Sequence, residues 1–313
     1  MKYSTTLAVL AMFFATVANA LPTRRGIADP QVLNFALALE HLEFAFYQQG
    51  LDQFSSSDFD AAGFPDWVRA RFEQIREHEA THVEFLSTAL GLAGASAVAP
   101  CEYNLWIPLS LSCEVLEAVG ATAYTGGAAL VNDKVSTPRE RVHPPEYYST
   151  QEYLTAAASI LAVEARHAAW ISSAAQGHNA WDTAFQPALT PNQVYTVATS
   201  FIESCPASNA DSLPPLTVFA PLAVTTAHPG RTATLTFAAP TSSKSLYAAF
   251  ISSIAVPVFV PIHNGNQVVV PHDLLGFAFC VVTTKDGGDL DDSTTVAGPA
   301  VLNFPFDSRS QTL

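Results

Sequence analysis

Two short stretches constrain this chain more than anything else in it. Ile160 to Ile171 reads ILAVEARHAAWI, and Glu77 to Phe85 reads EHEATHVEF. Each holds a carboxylate and an imidazole three residues apart, Glu79 with His82 and Glu164 with His167. On an α-helix positions i and i+3 share a face, so each pair aims two ligand groups at one point. The second pair is set among Ile160, Leu161, Ala162, Val163, Ala165, Ala168, Ala169 and Trp170. A solvated helix is not built from those residues, so Glu164 and His167 are expected to face inward. An uncompensated buried carboxylate is costly, and a metal ion is one of the few partners that offsets the cost.

A lone Glu-x-x-His carries little information; the duplication carries more. Upstream of the first pair comes LNFALALEHLEFAFY (Leu33 to Tyr47), and upstream of the second LSCEVLEAVGATAY (Leu111 to Tyr124). Glu40 precedes Tyr47 by seven residues, and Glu117 precedes Tyr124 by the same seven. That is about two helical turns, which puts each tyrosine above its glutamate on one face. The order Glu, Glu-x-x-His, Glu, Glu-x-x-His on four apolar helical segments is the ligand inventory of a two-metal carboxylate site in a four-helix bundle. Glu43 and Glu114 lie one turn from the favoured glutamates, and His78 and Glu84 flank the first pair. The shared Glu–Tyr spacing selects Glu40 and Glu117 over these rivals.

The segments LALEHLEFAFY, REHEATHVEFL, LEAVGATAY and AAASILAVEARHAAW, in that order over about residues 30 to 205, resemble the ferritin-like superfamily. They most resemble its secreted fungal branch related to stress- and desiccation-associated proteins. The resemblance implies a centre of two metal ions, iron or manganese, with Glu79 and Glu164 bridging and His82 and His167 each capping one ion. Glu40 and Glu117 would be the terminal carboxylates, and Tyr47 and Tyr124 would supply hydrogen bonds or one-electron transfer beside them. Core tyrosines with satisfied hydroxyls are the plainer alternative. The resemblance also favours a Cys101–Cys205 disulfide; Cys113 and Cys280 are left either to pair with each other or to stay as thiols.

Composition narrows the rest. At 313 residues and 49% hydrophobic the chain can bury one large core and room remains for a second. A formal net charge of −14 with only 14 Lys plus Arg argues against nucleic acid and anionic membrane surfaces as partners. Residues 1–20 carry Lys2, an apolar run from Leu7 to Val17 and Ala18-Asn19-Ala20, the pattern of a secretory signal peptide. Residues 21–28, with Arg24-Arg25, form a short pro or linker segment. The expected setting is secreted, extracellular or cell-wall associated, with no membrane span in the mature form, disulfides permitted, and no Asn-x-Ser/Thr acceptor.

The expected fold class is α + β in two domains: a ferritin-like four-helix bundle with a long crossover and a short fifth helix over 29–205, a linker at 206–215, and a β-sandwich over 216–313. Asp29 as the N-cap and Pro30 in the first turn are expected to open the first helix, which ends near Gly50. After a loop at 51–64, Pro65 restarts a helix running to about Leu90. The crossover spans 91–110, helix three about 111–130, a polar loop 132–149, helix four about 150–176, and helix five about 190–205. Beyond Pro215, runs such as RTATLTF, LYAAFIS, VPVFVPI, QVVV and FAFCVVTT alternate with turn residues at sandwich spacing, with an immunoglobulin-like arrangement as one option. KDGGDLDD, from Lys285, lacks the spacing of a calcium loop and is expected to be a solvated turn. His41, His143, His178, His228, His263 and His272 match no motif and are expected to be surface or loop residues.

Such a centre suits activation of a small oxidant, O2 or H2O2, with an unidentified organic molecule as further substrate. Ferroxidase-like or manganese-catalase-like oxidoreductase chemistry in stress protection follows by analogy. The rival expectation is a non-catalytic extracellular structural or interaction protein, its metal-bound bundle a scaffold and its sandwich the binding module. Iron storage is a weaker third.

Overall fold

The computed structural model describes residues 27–105, 109–131, 150–225, 227–240 and 245–313. The expected leader at 1–20, most of the segment at 21–28, the polar loop at 132–149 with His143, and residues 106–108 of the crossover lie outside the described residues. The described chain separates by its contacts into two compact units, one holding residues to Trp181 and Pro191–Val218, the other Asp182–Thr190 and Phe219–Leu313.

The first unit is helical. Helix α1 spans Asp29–Gln53, α2 Ser56–Ala61, α3 Asp66–Leu92, α4 Leu109–Gly127 and α5 Thr150–Trp170. The N-cap of α1 is Ala28, not Asp29; Asp29 and Pro30 fill the first turn, and Gln31 Oε1 accepts the Ala28 N–H at 3.3 Å. The expected 51–64 loop contains α2, whose Phe59 packs on Phe64 and Phe72 at ring separations of 5.8 and 6.0 Å. Arg69 of α3 closes the end of α1: its guanidinium donates to Leu51 O at 2.9 Å and Phe54 O at 3.1 Å and pairs with Glu73. Leu51 lies in the last turn of α1 and Phe54 is its C-cap, where intrahelical donors run out. Helix α5 gives way to a π-helical turn at Ile171–Ala175. The long helices pack as two pairs, α1 along α3 and α4 along α5, with α1 also facing α4.

The crossover is tied down by side chains, since its backbone has little regular structure to satisfy it. Asn34 accepts from Val98 N at 2.8 Å and donates to Ser96 O at 3.0 Å. Asn209 brackets Ala99, accepting its N–H at 3.0 Å and donating to its carbonyl at 2.8 Å. His41, expected on the surface, is half-buried against Val98 O at 3.2 Å. The expected fifth helix is shorter than its sequence suggests: α6 covers Pro191–Ala198, and the chain then forms β2, Ile202–Ser204, antiparallel to β1, Glu102–Tyr103. Next to this ribbon Cys101 and Cys205 form a disulfide. Cys113 and Cys280 form none; both thiols are fully buried, so the Cys113–Cys280 alternative is not realised. A short helix α7, Asn209–Ser212, follows.

The second unit has two antiparallel sheets. One orders β3 (Ala223–Thr225), β4 (Thr232–Thr236) and β7 (Gln267–Val269); the other orders β6 (Val258–Pro261), β5 (Tyr247–Ile251), β8 (Gly276–Thr283) and β9 (Thr295–Phe304). Leu235 and Val268 from the first sheet and Phe250, Ala278, Cys280 and Leu302 from the second join one apolar core. All five expected strand runs are strands. Strand β9 was hidden by Gly298-Pro299, a pair that ordinarily argues against a strand interior; pairing with β8 survives through register shifts. Gly298 has φ +98°, and a Cβ there would lie 2.7 Å from Cys280 O, so no other residue fits. KDGGDLDD is a turn that ends in a 3₁₀ helix, Asp292–Thr294, capped by Asp291. The segment Asp182–Thr190 contacts these sheets: Thr183 Oγ1 donates to Ser252 O at 3.1 Å and Thr190 Oγ1 to Asp292 Oδ1 at 2.8 Å. Among the described residues no helix is long and apolar enough to cross a membrane.

The disulfide closes a loop with a sequence separation of 104. Replacing both Cys101 and Cys205 by Ser is expected to lower unfolding free energy by about 2–4 kcal/mol, read by urea titration of the two proteins side by side.

Candidate metal centre

Helices α1, α3, α4 and α5 each turn a carboxylate inward at the same level. Glu40, Glu79, Glu117 and Glu164 are 0% exposed and His167 6%. The burial follows from the periodicity: on α1, Leu33, Leu37, Glu40 and Tyr47 fall on one buried stripe, with Phe35, Leu39, Leu42 and Phe46 beside it.

Their donor atoms form two groups, one of Glu40, Glu79, His82 and Glu164, the other of Glu79, Glu117, Glu164 and His167, each with its ligand atoms within 4.8 Å of one another. Glu79 and Glu164 belong to both. His82 Nδ1 lies 3.1 Å from Glu40 Oε2, 3.0 Å from Glu79 Oε2 and 3.2 Å from Glu164 Oε1. His167 Nδ1 lies 3.1 Å from Glu79 Oε1, 3.3 Å from Glu117 Oε2 and 4.0 Å from Glu164 Oε2. Each shared carboxylate therefore sends one oxygen to each histidine, while Glu40 and Glu117 each serve one group only.

The tyrosines hold the outer oxygens of the terminal carboxylates. Tyr47 Oη donates to Glu117 Oε1, and Tyr124 Oη to Glu40 Oε1. Their spacing suggested that each tyrosine attends the glutamate of its own helix. The partner is instead the glutamate of the other half, because α1 and α4 face each other and the two bonds cross between them. Phe72, packed on Tyr47 at 6.1 Å and on Trp170 at 5.2 Å, walls this end with aromatic rings.

His78, at the sequence level only a neighbour of the first pair, has a defined place. Its Nδ1 is 3.0 Å from His167 Nε2, with the rings nearly parallel at 9°. His167 thus shows one nitrogen to the carboxylates and has the other held. No periodic signal marks His78, which points to a residue on α5. Glu84 is exposed and outside the cluster. Glu43 and Glu114, the rivals of Glu40 and Glu117, are buried as well, at 3% and 1% exposure.

The electrostatics are those of acids and imidazoles holding protons in place of cations. Burial, together with the charges of Glu164 and Glu79, pushes Glu40 up to about 8 against the hydrogen bond from His82. Burial likewise holds Glu164 and Glu43 well above the usual carboxylate range. For Glu79 burial works the same way, but hydrogen bonds from His167 and His82 prevail and hold it at about 2. Burial opposes the charged form of His82, yet Glu164, Glu40 and Glu79 push it up to about 12; His167, likewise desolvated, is pushed up to about 10 by Glu117 and Glu79. Glu79 Oε1, Glu117 Oε2, both oxygens of Glu164 and His167 Nδ1 are buried without a well-formed hydrogen bond. Buried acceptors in that state call for a cation. Hard carboxylate oxygens with imidazole nitrogen fit iron or manganese as a donor set.

Two outcomes follow. Cation uptake must displace the protons held by His82, His167 and Glu40, whose raised values keep them protonated at neutral pH. Affinity for Mn(II) is therefore expected to climb as pH rises from about 6 to about 9, with proton release readable by calorimetry in buffers of different ionisation enthalpy. His78→Ala is expected to weaken Mn(II) binding by about 10–100-fold, because His167 loses the contact that orients it.

No curated protein matches the chain. Residues 28–138 and 144–177 match the family model of the ferritin-like domain, a span that contains both Glu-x-x-His pairs and both Glu–Tyr pairs. The match supports the ferritin-like superfamily for the helical unit.

Proposed function

We propose that the chain is a secreted dimetal-carboxylate protein whose helical centre, built on the plan of a ferritin-like bundle with a long crossover, activates dioxygen or hydrogen peroxide in stress protection. The observation that carries this reading is the sharing of Glu79 and Glu164 between two donor groups, one oxygen to each. A single cation has no use for that arrangement, whereas a pair of cations would use both oxygens of each shared carboxylate.

Glu79 and Glu164 would be shared between the two ions, Glu40 and His82 would help hold one, and Glu117 and His167 the other. When bound, a pair of iron or manganese ions supplies two-electron exchange with an O–O bond. The chain's own part is to orient and to exclude. Tyr47 and Tyr124 fix the terminal carboxylates by their outer oxygens and stand close enough to serve as one-electron relays. The apolar faces around Glu164 and Glu40 keep water from the centre. The boundaries proposed for the two domains are 29–205 and 216–313, joined at 206–215. The Cys101–Cys205 disulfide is compatible with an extracellular setting.

Metal analysis of the secreted protein is expected to give about two iron or manganese ions per chain. Oxygen release from peroxide, or oxygen uptake with ferrous iron, is expected in the same preparation. Glu79→Ala and Glu164→Ala should each abolish both metal retention and turnover. A fully loaded protein without turnover would instead favour the scaffold reading, in which the cations only stabilise the fold.

A further inference from the structure

Glu43 stands one turn beyond Glu40 on α1 and belongs to neither four-residue group. It is nevertheless 3% exposed, and its Oε2 has no hydrogen-bond partner. On one side the carboxylate borders a small cleft lined by Leu42, Leu116, Val119, Val197 and Phe201, which offers it nothing polar. On the other side is the metal centre. A Cβ placed on Gly120 of α4 would lie 2.5 Å from Glu43 Oε1 and 3.6 Å from Glu164 Oε2. The two carboxylates thus converge on the notch that Gly120 leaves open.

The register of the duplication explains why the notch is there. Glu43 follows Glu40 by three residues, and Gly120 follows Glu117 by three. These are equivalent positions of the two halves, and they meet across the interface of α1 and α4. One half supplies a carboxylate there; the other supplies the one residue without a side chain. Without a cation, a buried carboxylate facing another carboxylate on one side and aliphatic carbon on the other has nothing to compensate its charge.

We propose that Glu43 is a seventh protein ligand of the centre, held in the Gly120 notch and joining the cation bound by Glu117, Glu164 and His167. That position is chosen because the Glu164 oxygen nearest the notch is Oε2, the one directed to His167. The two cation positions are then inequivalent, one with an extra carboxylate, although the duplicated motifs alone would make them alike. The proposal rests on reading the cluster as a two-cation centre.

The test is titration of the metal-free full chain with Mn(II), followed by calorimetry and electron paramagnetic resonance. The wild-type protein is expected to bind two ions in two unequal steps. Glu43→Gln keeps the shape and removes the ligating charge; it should weaken one step at least tenfold and alter the Mn(II) spectrum. Gly120→Ala, which alters no ligand but fills the notch, should reproduce that loss. If Gly120→Ala does not fold, as read by circular dichroism, Glu43→Gln alone decides. Two ions bound by Glu43→Gln with wild-type affinities and spectrum would overturn the assignment of Glu43 and leave the centre standing. A change in thermal stability with an unchanged spectrum would overturn it equally, since that is the mark of a structural carboxylate. A wild-type chain that takes up no ions would overturn both the centre and the assignment.

Discussion

The helical unit is organised by one electrostatic requirement: four glutamates from four helices share a volume from which water is excluded. Like charges at such separations repel strongly where the dielectric is low, and burial alone penalises each ionised carboxylate. The metal-free chain meets the requirement with protons, on Glu40 and Glu164 and on both histidines, leaving Glu79 as the settled anion. Cations would meet it better, since they would satisfy the buried acceptor oxygens left without a well-formed hydrogen bond. The same requirement governs the rest of the bundle. Aromatic rings close one end, tyrosines hold the outer oxygens, and the crossover is fastened by buried amides and a disulfide so that the helices keep their level.

Much of this was legible in the sequence because it repeats at helical spacing. Glu40, Glu79, His82, Glu117, Glu164 and His167 each fall at a position set by three- or seven-residue intervals, and the structure brings all six together. What spacing cannot convey is which helix lies opposite. The seven-residue interval puts Tyr47 and Glu40 on one face, but only the packing of α1 on α4 shows that Tyr47 reaches Glu117. His78 could be read only as a flanking rival of the first pair for the same reason, since its partner is 89 positions away. Glu43 was visible only as a rival to Glu40; its own surroundings depend on a glycine in the other half.

Elsewhere the misses are local. Strand β9 contains Gly298-Pro299, which breaks the pattern of a strand without breaking its pairing with β8. The end of the expected fifth helix became β2, because Ile202–Ser204 has a partner in Glu102–Tyr103 that no local propensity reveals. Short elements such as α2 and α7 are stabilised by what they pack against, Phe59 on Phe72 and Asn209 on Ala99, more than by their own residues.

The crossed tyrosine bonds have a consequence for symmetry. Each donor group takes three residues from one helical hairpin and one from the other, and each terminal glutamate is held by the opposite hairpin's tyrosine. Neither hairpin could assemble even one complete pocket in isolation. Two identical hairpins meeting about a twofold axis would reproduce both pockets and both phenol contacts at once. The arrangement is thus that of a self-complementary dimer written into a single polypeptide, and fusion into one chain is what leaves each half at liberty to diverge, as the Glu43 and Gly120 positions have done.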